Sequence, residues 1–507
     1  MEKSFFHNKR GANRQVGLDI SSESKLGQKV NTFYLTTTLP YVNAPLHMGH
    51  ALEFVRADTI VRYKKMLGYD VYFNTGTDEH GSKIFEKAKE KNIEVQDFVD
   101  AGFETFKEQL KMFGVLDDIH YIRTTDKNHE KAAREFWIRV RDNGYIYKKN
   151  YEAKYCVGCE SEKTDSELVD GKCPLHPDME LKNISEENYF FKYSEFGDKL
   201  MDFYEKNQNF VVPDFRFNEI KNFVKGGLQD FSISRWKEKM PWGIAVPGDE
   251  DQVMYVWFDA LVNYISTLGW PEKMDDFEKY WVKGNPTQYC GKDNTRFQSA
   301  MWQAMLMAAG LPNSHQIIVN GFITAEGGVR MSKSLGNGVD PRDIVSEYGT
   351  DALRYFLLRE VGSFEDSPFT LERFKDAYNS GLANGLGNLS SRILTLSEKY
   401  LEKCPEIPEK TDFTEYFKMY EDFDIKKAMD NIWDKIQILD KKIQETEPFK
   451  VIKVDEKKGK EMITELVLEL YTIARMLNPV MPEINVKLKK LIRENKKPEA
   501  PLFLRKE

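Results

Sequence analysis

From Thr32 to His80 the chain alternates between two kinds of pattern, and this alternation limits the fold more than any other feature. Thr32–Thr38 is rich in β-branched and aromatic residues and reads as a strand. Gly49–Leu67 carries apolar Leu52, Val55, Ile60, Val61 and Leu67 at helical spacing, with Gly68 just past its end as a C-cap. Val71–Asn74 reads as a second strand, running into Thr75-Gly76-Thr77-Asp78-Glu79-His80-Gly81, and Lys83–Lys91 as a second helix. Strand, helix and strand in that order imply a parallel sheet, whose ligands collect at the carboxyl ends of the strands.

His47 and His50 flank Met48 and Gly49 where the first strand hands over, through a proline-bounded loop, to a helix N-terminus. Unpaired N–H groups and the positive end of the helix dipole suit a phosphate there. Taken alone, H-x-G-H describes an ordinary loop equally well. Asp78, Glu79 and His80 fall at the next strand end, where a solvated acidic turn is the competing description.

A chain of 507 residues with 41% hydrophobic and 30% charged residues can build several soluble cores. Its longest apolar run, Ser299 to Leu311, is shorter than the roughly 20 residues that span a bilayer. A net charge of −8 argues against indiscriminate nucleic-acid binding but leaves room for RNA on a local basic face. Residues 1–30 lack apolar periodicity and read as a poorly ordered tail, an organelle transit peptide being the alternative.

Five cysteines in so long a chain do not make a disulfide framework. Cys156-Val-Gly-Cys159, thirteen intervening residues and Cys173-Pro-Leu-His176 form two ligand pairs with two-residue gaps, the pattern of a closed, structural zinc knuckle. Around it, from about Thr124 to Pro247, strands look short and mixed with charges. The sheet pattern returns at Val253–Ala260 and continues at Tyr289–Asp293 and Gln316–Phe322, with an apolar helix at Phe297–Ala309. An insertion between two halves of one nucleotide-binding sheet explains that order.

After the last of these strands comes Arg330-Met331-Ser332-Lys333-Ser334, bordered by glycines, which suits a loop closing over polyphosphate. From about Tyr378 onward the pattern is helical, with breaks at Cys404–Pro408 and Asp455–Gly459 and a lysine-rich last helix.

H-x-G-H after the first strand and M-S-K-S after the last, taken together, resemble the two signatures of class I aminoacyl-tRNA synthetases. Arg330 stands where their second signature usually begins with lysine. Leu39-Pro40-Tyr41, Gly76–Gly81, Val256–Ala260 with Tyr264, and Gly291-Lys292-Asp293 are similar to the methionyl-tRNA synthetase family, in its single-knuckle subtype. The likeness runs from about Asn31 to the C-terminus.

The resemblance implies an α/β fold: a Rossmann-like, parallel-sheet catalytic domain at 31–125 and 253–325, split by a zinc-containing connective insertion at 126–252. A lysine-loop domain at 326–380 and an all-α anticodon-binding helix bundle at 381–507 would follow. It implies catalysis by His47, His50 and Lys333, with ATP held by these residues and by Gly49, Gly291 and Asp293. Methionine would meet Leu39, Tyr41, Asp78, Val256, Trp257, Ala260, Tyr264, Phe297, Gln298 and Trp302. Gln298 stands where family members often have histidine. One structural Zn2+ would sit on Cys156, Cys159, Cys173 and His176, and Mg2+ would accompany ATP. Arg235 resembles a family arginine that reaches the active site from the insertion. Asn388 and Arg392, one helical turn apart, and Phe449, where the family has a stacking tryptophan, would read the tRNA(Met) anticodon. The expected partners are ATP, L-methionine and tRNA(Met), in a cytoplasmic monomer without a membrane anchor. A synthetase for another aliphatic amino acid, a smaller nucleotidyltransferase with the same H-x-G-H, and a zinc-containing RNA-binding protein are the competing readings.

Overall fold

The computed structural model describes residues 31–159, 161–163, 167–329, 331, 338–409 and 411–507. The expected tail and the expectations for Arg330 and Lys333 lie outside the described residues. Three opening strands, β1 (Thr32–Thr37), β2 (Asp70–Thr77) and β3 (His120–Arg123), flank the first helix, α1 (Met48–Met66), and two further helices. They belong to a six-stranded sheet ordered β3, β2, β1, Pro286–Gly291, Gln316–Asn320, Val211–Val212. Every neighbouring pair in it is parallel.

The chain thus leaves β1 in one direction and returns on its other side at Pro286–Gly291. That reversal opens a crevice at the carboxyl ends of these two strands, where open α/β sheets bind ligands. Gly76 is required on β2 because a Cβ there would stand 1.6 Å from the Ile122 carbonyl oxygen. Gly68 closes α1 at φ 79°, in the left-handed region glycine favours.

Two details of the middle segment differ from the expectations. Val253 and Met254 end a strand, Asp249–Met254, that pairs antiparallel with Ser234–Trp236 in a separate three-stranded sheet, and Val256–Ala260 is a short helix behind Tyr255. A fully buried apolar run carries no period, so sequence alone does not tell a strand from a helix there. Val211–Val212, from within the expected insertion, supplies the outer edge of the main sheet by pairing with Ile317 and Ile318. The rest of the segment builds an antiparallel sheet ordered Ser161–Lys163, Ile146–Cys156, Lys182–Phe191, Phe231–Ser232.

Beyond the sheet, the helices Asn388–Tyr400, Ile425–Thr446, Glu456–Met476 and Pro482–Arg493 share one hydrophobic core with β1 and α1. The expected break at Asp455–Gly459 is a helix start: Asp455 caps Glu456–Met476, and Gly459 lets that helix lie against Ile452. Helix α1 is buried on most faces because it lies between the sheet and this bundle. Its Asp58 pairs with Arg354 at 2.8 Å, both side chains fully buried, and Arg354 Nε donates to the Val480 carbonyl at 2.7 Å. Removing one partner of such a pair costs about 3–5 kcal/mol. No helix among the described residues is long and apolar enough to cross a membrane.

Candidate active site and metal centre

His47 is the N-cap of α1, and the two signature histidines cap each other. His47 Nδ1 accepts from Gly49 N at 3.1 Å and His50 N at 3.3 Å, and His50 Nδ1 accepts from His47 N at 3.2 Å. Each Nδ1 is therefore an acceptor, so each neutral ring carries its proton on Nε2. The rings stack with centroids 3.8 Å apart. A Cβ on Gly49 would come within 3.0 Å of the His47 ring, which explains the glycine between them. Burial first, and then the neighbouring His47, holds the His50 imidazole well below the ordinary histidine range. Two Nε2–H donors at a helix N-terminus make a candidate anion site, in which the His50 ring is held neutral at physiological pH.

Tyr41 and Asp78 face each other across a bridge between the two loops, and Asp78 N donates to the Pro40 carbonyl at 3.1 Å. Asp78 is buried and Leu39 and Tyr41 are partly exposed. The Trp257 and Phe297 rings stack face to face at 4.1 Å, both partly exposed, and the Trp257 Nε1 hydrogen is buried without a partner among the described residues. Val256, Ala260 and Tyr264 are buried, and Gln298 donates to the Tyr264 hydroxyl while accepting from Gln288. Gln298 thus stands in a polar network that does not titrate near neutrality. Trp302 is fully buried, edge-on to Tyr264 and stacked on Phe136.

Gly291 ends its strand beside β1, and a Cβ there would meet Asp293 Oδ1 at 2.8 Å. Sequence reading missed Glu53, one helical turn after His50. Its Oε1 accepts from Thr38 N at 2.8 Å and Thr38 Oγ1 at 2.6 Å, which ties α1 to the end of β1. Burial pushes its carboxyl up to about 7 against those hydrogen bonds. The i+3 spacing from His50 was visible in the sequence; burial was not. Arg235 lies between the rings of Tyr155 and Tyr255, at 5.3 and 5.0 Å, and its guanidinium donates to Ser232 Oγ at 2.6 Å. A buried His80–Asp259 contact of 3.1 Å lies behind the Trp257 helix, with His129 Nε2 4.0 Å from Asp259.

The ligand atoms of Cys156, Cys159, Cys173 and His176 all lie within 4.8 Å of one another. Cys159 Sγ is 3.5 Å from Cys173 Sγ and 3.3 Å from His176 Nδ1, and Cys156 Sγ is 3.8 Å from His176 Nδ1. A tetrahedral ion with sulfur at about 2.3 Å needs ligand edges of roughly this length. Asp170 and Gly171, both at positive φ, turn the chain between the two pairs, and a Cβ on Gly158 would strike the His176 ring. These four side chains fit one metal ion.

In the bundle Asn388 is exposed at the start of Asn388–Tyr400, and Arg392 reaches Asp440 on Ile425–Thr446. That helix ends at Glu447, in the left-handed region, and the next turn carries Phe449, 37% exposed. Asn388 and Arg392 thus stand on one helix, and Phe449 follows the end of the helix that Arg392 touches.

The family model described as "tRNA synthetases class I (M)" matches residues 33–184 and 178–394. A methionine–tRNA ligase from Caldanaerobacter subterraneus is 41% identical over 473 residues, spanning 90% of this chain and 73% of the relative. One from Thermotoga maritima is 37% identical over 484 residues, spanning 92% and 76%. The Mycobacterium tuberculosis methionyl-tRNA synthetase solved with methionyl-adenylate superposes with a TM-score of 0.84 at 34% identity, over 90% of this chain and 93% of that one. With its split parallel sheet, its paired histidines and its four-ligand knuckle, the chain belongs to the methionyl-tRNA synthetase family of class I aminoacyl-tRNA synthetases.

Proposed function

We propose that this chain is a methionine–tRNA ligase serving translation initiation and elongation. A methionine carboxylate oxygen attacks the ATP α-phosphorus, the bond to the β-phosphate bridging oxygen breaks, and methionyl-adenylate and pyrophosphate form. A ribose hydroxyl of the terminal adenosine of tRNA(Met), the 2′-hydroxyl by class analogy, then attacks the acyl carbon and AMP leaves. The observation that carries this reading is the reciprocal capping of His47 and His50, which uses both Nδ1 atoms as acceptors and so puts a donor proton on each Nε2 at the start of α1.

These donors would hold the ATP phosphates as charge moves onto the leaving pyrophosphate, since such chemistry rests on positioning and charge neutralisation. Lys333 would join them on the β/γ-phosphates, and Mg2+ would arrive as the ATP complex. Gly49 would admit the phosphates close to the backbone, and Gly291 and Asp293 would meet adenosine. Leu39, Tyr41, Val256, Trp257, Ala260, Tyr264, Phe297, Gln298 and Trp302 would form the wall around the thioether, with Asp78 on the ammonium. Apolar and aromatic groups suit a polarisable sulfur. Arg235 would approach the site from the insertion.

Zinc is the ion that three thiolates and one imidazole select, and a closed ligand set gives it a structural role. None of the five cysteines is in a disulfide, which suits the cytoplasm. Asn388, Arg392 and Phe449 would read the anticodon by hydrogen bonding and stacking.

ATP–pyrophosphate exchange with each amino acid in turn tests the reading. Exchange should need methionine and should fall by about 10²–10³-fold in His50→Ala and Lys333→Ala. Equal exchange with other amino acids, or unchanged rates in both variants, would overturn it.

A further inference from the structure

The loop that carries the paired histidines has a backstop. Helix Val95–Met112 lies behind it and touches it at two places. At one, a Cβ on Gly102 would stand 2.7 Å from Val42 Cβ, so the helix approaches the loop as closely as glycine permits. At the other, Gln109, only 3% exposed, faces the backbone of Leu46. Gln109 Oε1 accepts from Leu46 N at 2.9 Å, and Gln109 Nε2 donates to the Leu46 carbonyl at 3.4 Å. Between the two contacts is a cavity of about 270 Å³ lined by Tyr41, Pro45, Ile93, Phe98 and Phe106 among others. The middle of the loop spans this space, so its position is set mainly at its ends.

The carbonyl of Leu46 and the N–H of His47 belong to one peptide plane. Gln109 holds the carbonyl side of that plane from below, and His50 Nδ1 holds the N–H side at 3.2 Å from the helix. The tilt of that plane decides where the His47 ring points. From this geometry we infer that Gln109 is a positioning residue for the phosphate site, acting through Leu46 on the His47–His50 pair. The inference rests on the proposal that these histidines contact ATP phosphates. Gln109 itself touches no substrate. Its effect is to keep the N-cap in one orientation while ATP binds and pyrophosphate leaves. Displacements of about 1 Å at such groups cost on the order of 10²-fold in rate.

Two substitutions test this. Gln109→Met keeps the volume and loses both hydrogen bonds. Gln109→Glu is isosteric, and its protonated form has the same acceptor and donor as the amide, whereas its ionised form sets a carboxylate against the Leu46 carbonyl. Burial raises a carboxyl pKa, so the Glu variant can be switched by pH. In ATP–pyrophosphate exchange, the kcat of Gln109→Met should fall by about 10-fold or more, with the methionine Kd, measured by calorimetry without ATP, unchanged. The rate of Gln109→Glu relative to the unsubstituted protein should climb as pH falls from 8.5 to 6. An unchanged kcat in Gln109→Met, or a pH-independent ratio in Gln109→Glu, would overturn the inference. Should Gln109→Met misfold, the pH-dependent ratio decides alone. His47→Ala and His50→Ala, run in parallel, separate the two levels. If they leave exchange intact, the phosphate reading falls; if they abolish it while the Gln109 variants stay normal, only the positioning role falls.

Discussion

The ammonium of Lys83 donates to the carbonyl of Gly158 at 2.8 Å, inside the Cys156–Cys159 turn. The same ammonium lies 5.2 Å from the centroid of the Tyr41 ring. One side chain therefore links the metal-binding turn to the near wall of the proposed methionine pocket. Removing the metal with a chelator should weaken methionine binding as well as lower the Tm. Lys83→Met should raise the methionine KM about 5-fold and leave the ATP KM unchanged, because a partly exposed cation–ring contact is worth about 0.5–1 kcal/mol and its hydrogen bond adds to that. Equal methionine affinity in the metal-free and metal-loaded proteins would refute the link.

Trp257 and Trp302 should behave differently, although both are expected at the pocket. Trp257 is stacked on Phe297 and partly exposed, whereas Trp302 is fully buried against Phe136, Tyr264 and Trp281. Trp257→Ala should raise the methionine KM at least 10-fold with little change in Tm, since a ring that lines the pocket wall contributes to binding. Trp302→Ala should destabilise the protein by about 3–5 kcal/mol through the cavity left behind. Steady-state kinetics and urea unfolding on both variants distinguish the two outcomes.

His129 gives a pH dependence of known sign. It is fully buried, with Nδ1 3.0 Å from Ser266 Oγ, and burial, then the nearby His80, push it down to about 3. The folded state keeps it neutral while the unfolded chain takes up a proton near pH 6.5, so stability is lost as pH falls below that value. Each unit of pH below about 6.5 removes about 1.4 kcal/mol, or roughly 2 kcal/mol by pH 5. His80 works in the opposite sense. Burial lowers it, but Asp259 at 3.1 Å outweighs that and raises it, so its contribution is present at low pH and lost as pH rises through the raised value. Urea midpoints at pH 7.5 and 5 should converge in His129→Gln relative to the unsubstituted protein. A slope equal to the parent's would remove His129 from the account.

Phe449→Ala and Arg392→Ala should weaken tRNA(Met) binding while methionine-dependent ATP–pyrophosphate exchange stays normal. Base stacking on an aromatic ring is worth about 1–3 kcal/mol, so Phe449→Ala should cost roughly 10-fold or more in tRNA affinity. Arg392 shares its guanidinium with Asp440, which in turn accepts from Gln444 Nε2 at 2.6 Å. Filter binding with tRNA(Met), with or without an altered anticodon, reads the effect. Unaltered affinity in both variants would show that the bundle reads the anticodon by other residues.

Short-range rules carried much of the architecture. The β-branched run at β1, the glycine after α1, the pairing of His47 with His50 across Gly49, and the two cysteine-containing gaps are local patterns, and each has a local physical cause. Strand alternation and ligand spacing act within a few residues, so they can be read from the chain itself. At Val253–Ala260 the same reading failed, because a segment buried on all sides shows no period and its partner strand, Ser234–Trp236, is chosen by tertiary packing.

Sequence by itself therefore determined the parallel α/β scheme, the pairing of the signature histidines, the cysteine–histidine cluster that fits a metal ion and the helical C-terminal region. Only the tertiary structure decided that Glu53 ties α1 to Thr38, that Gln109 grips Leu46, that His129 stays neutral and that Arg354 joins the bundle to Asp58. Those roles depend on which distant backbone a polar group meets once water has been excluded. Desolvation and partner geometry are properties of the packed chain, and no window of neighbouring residues contains them.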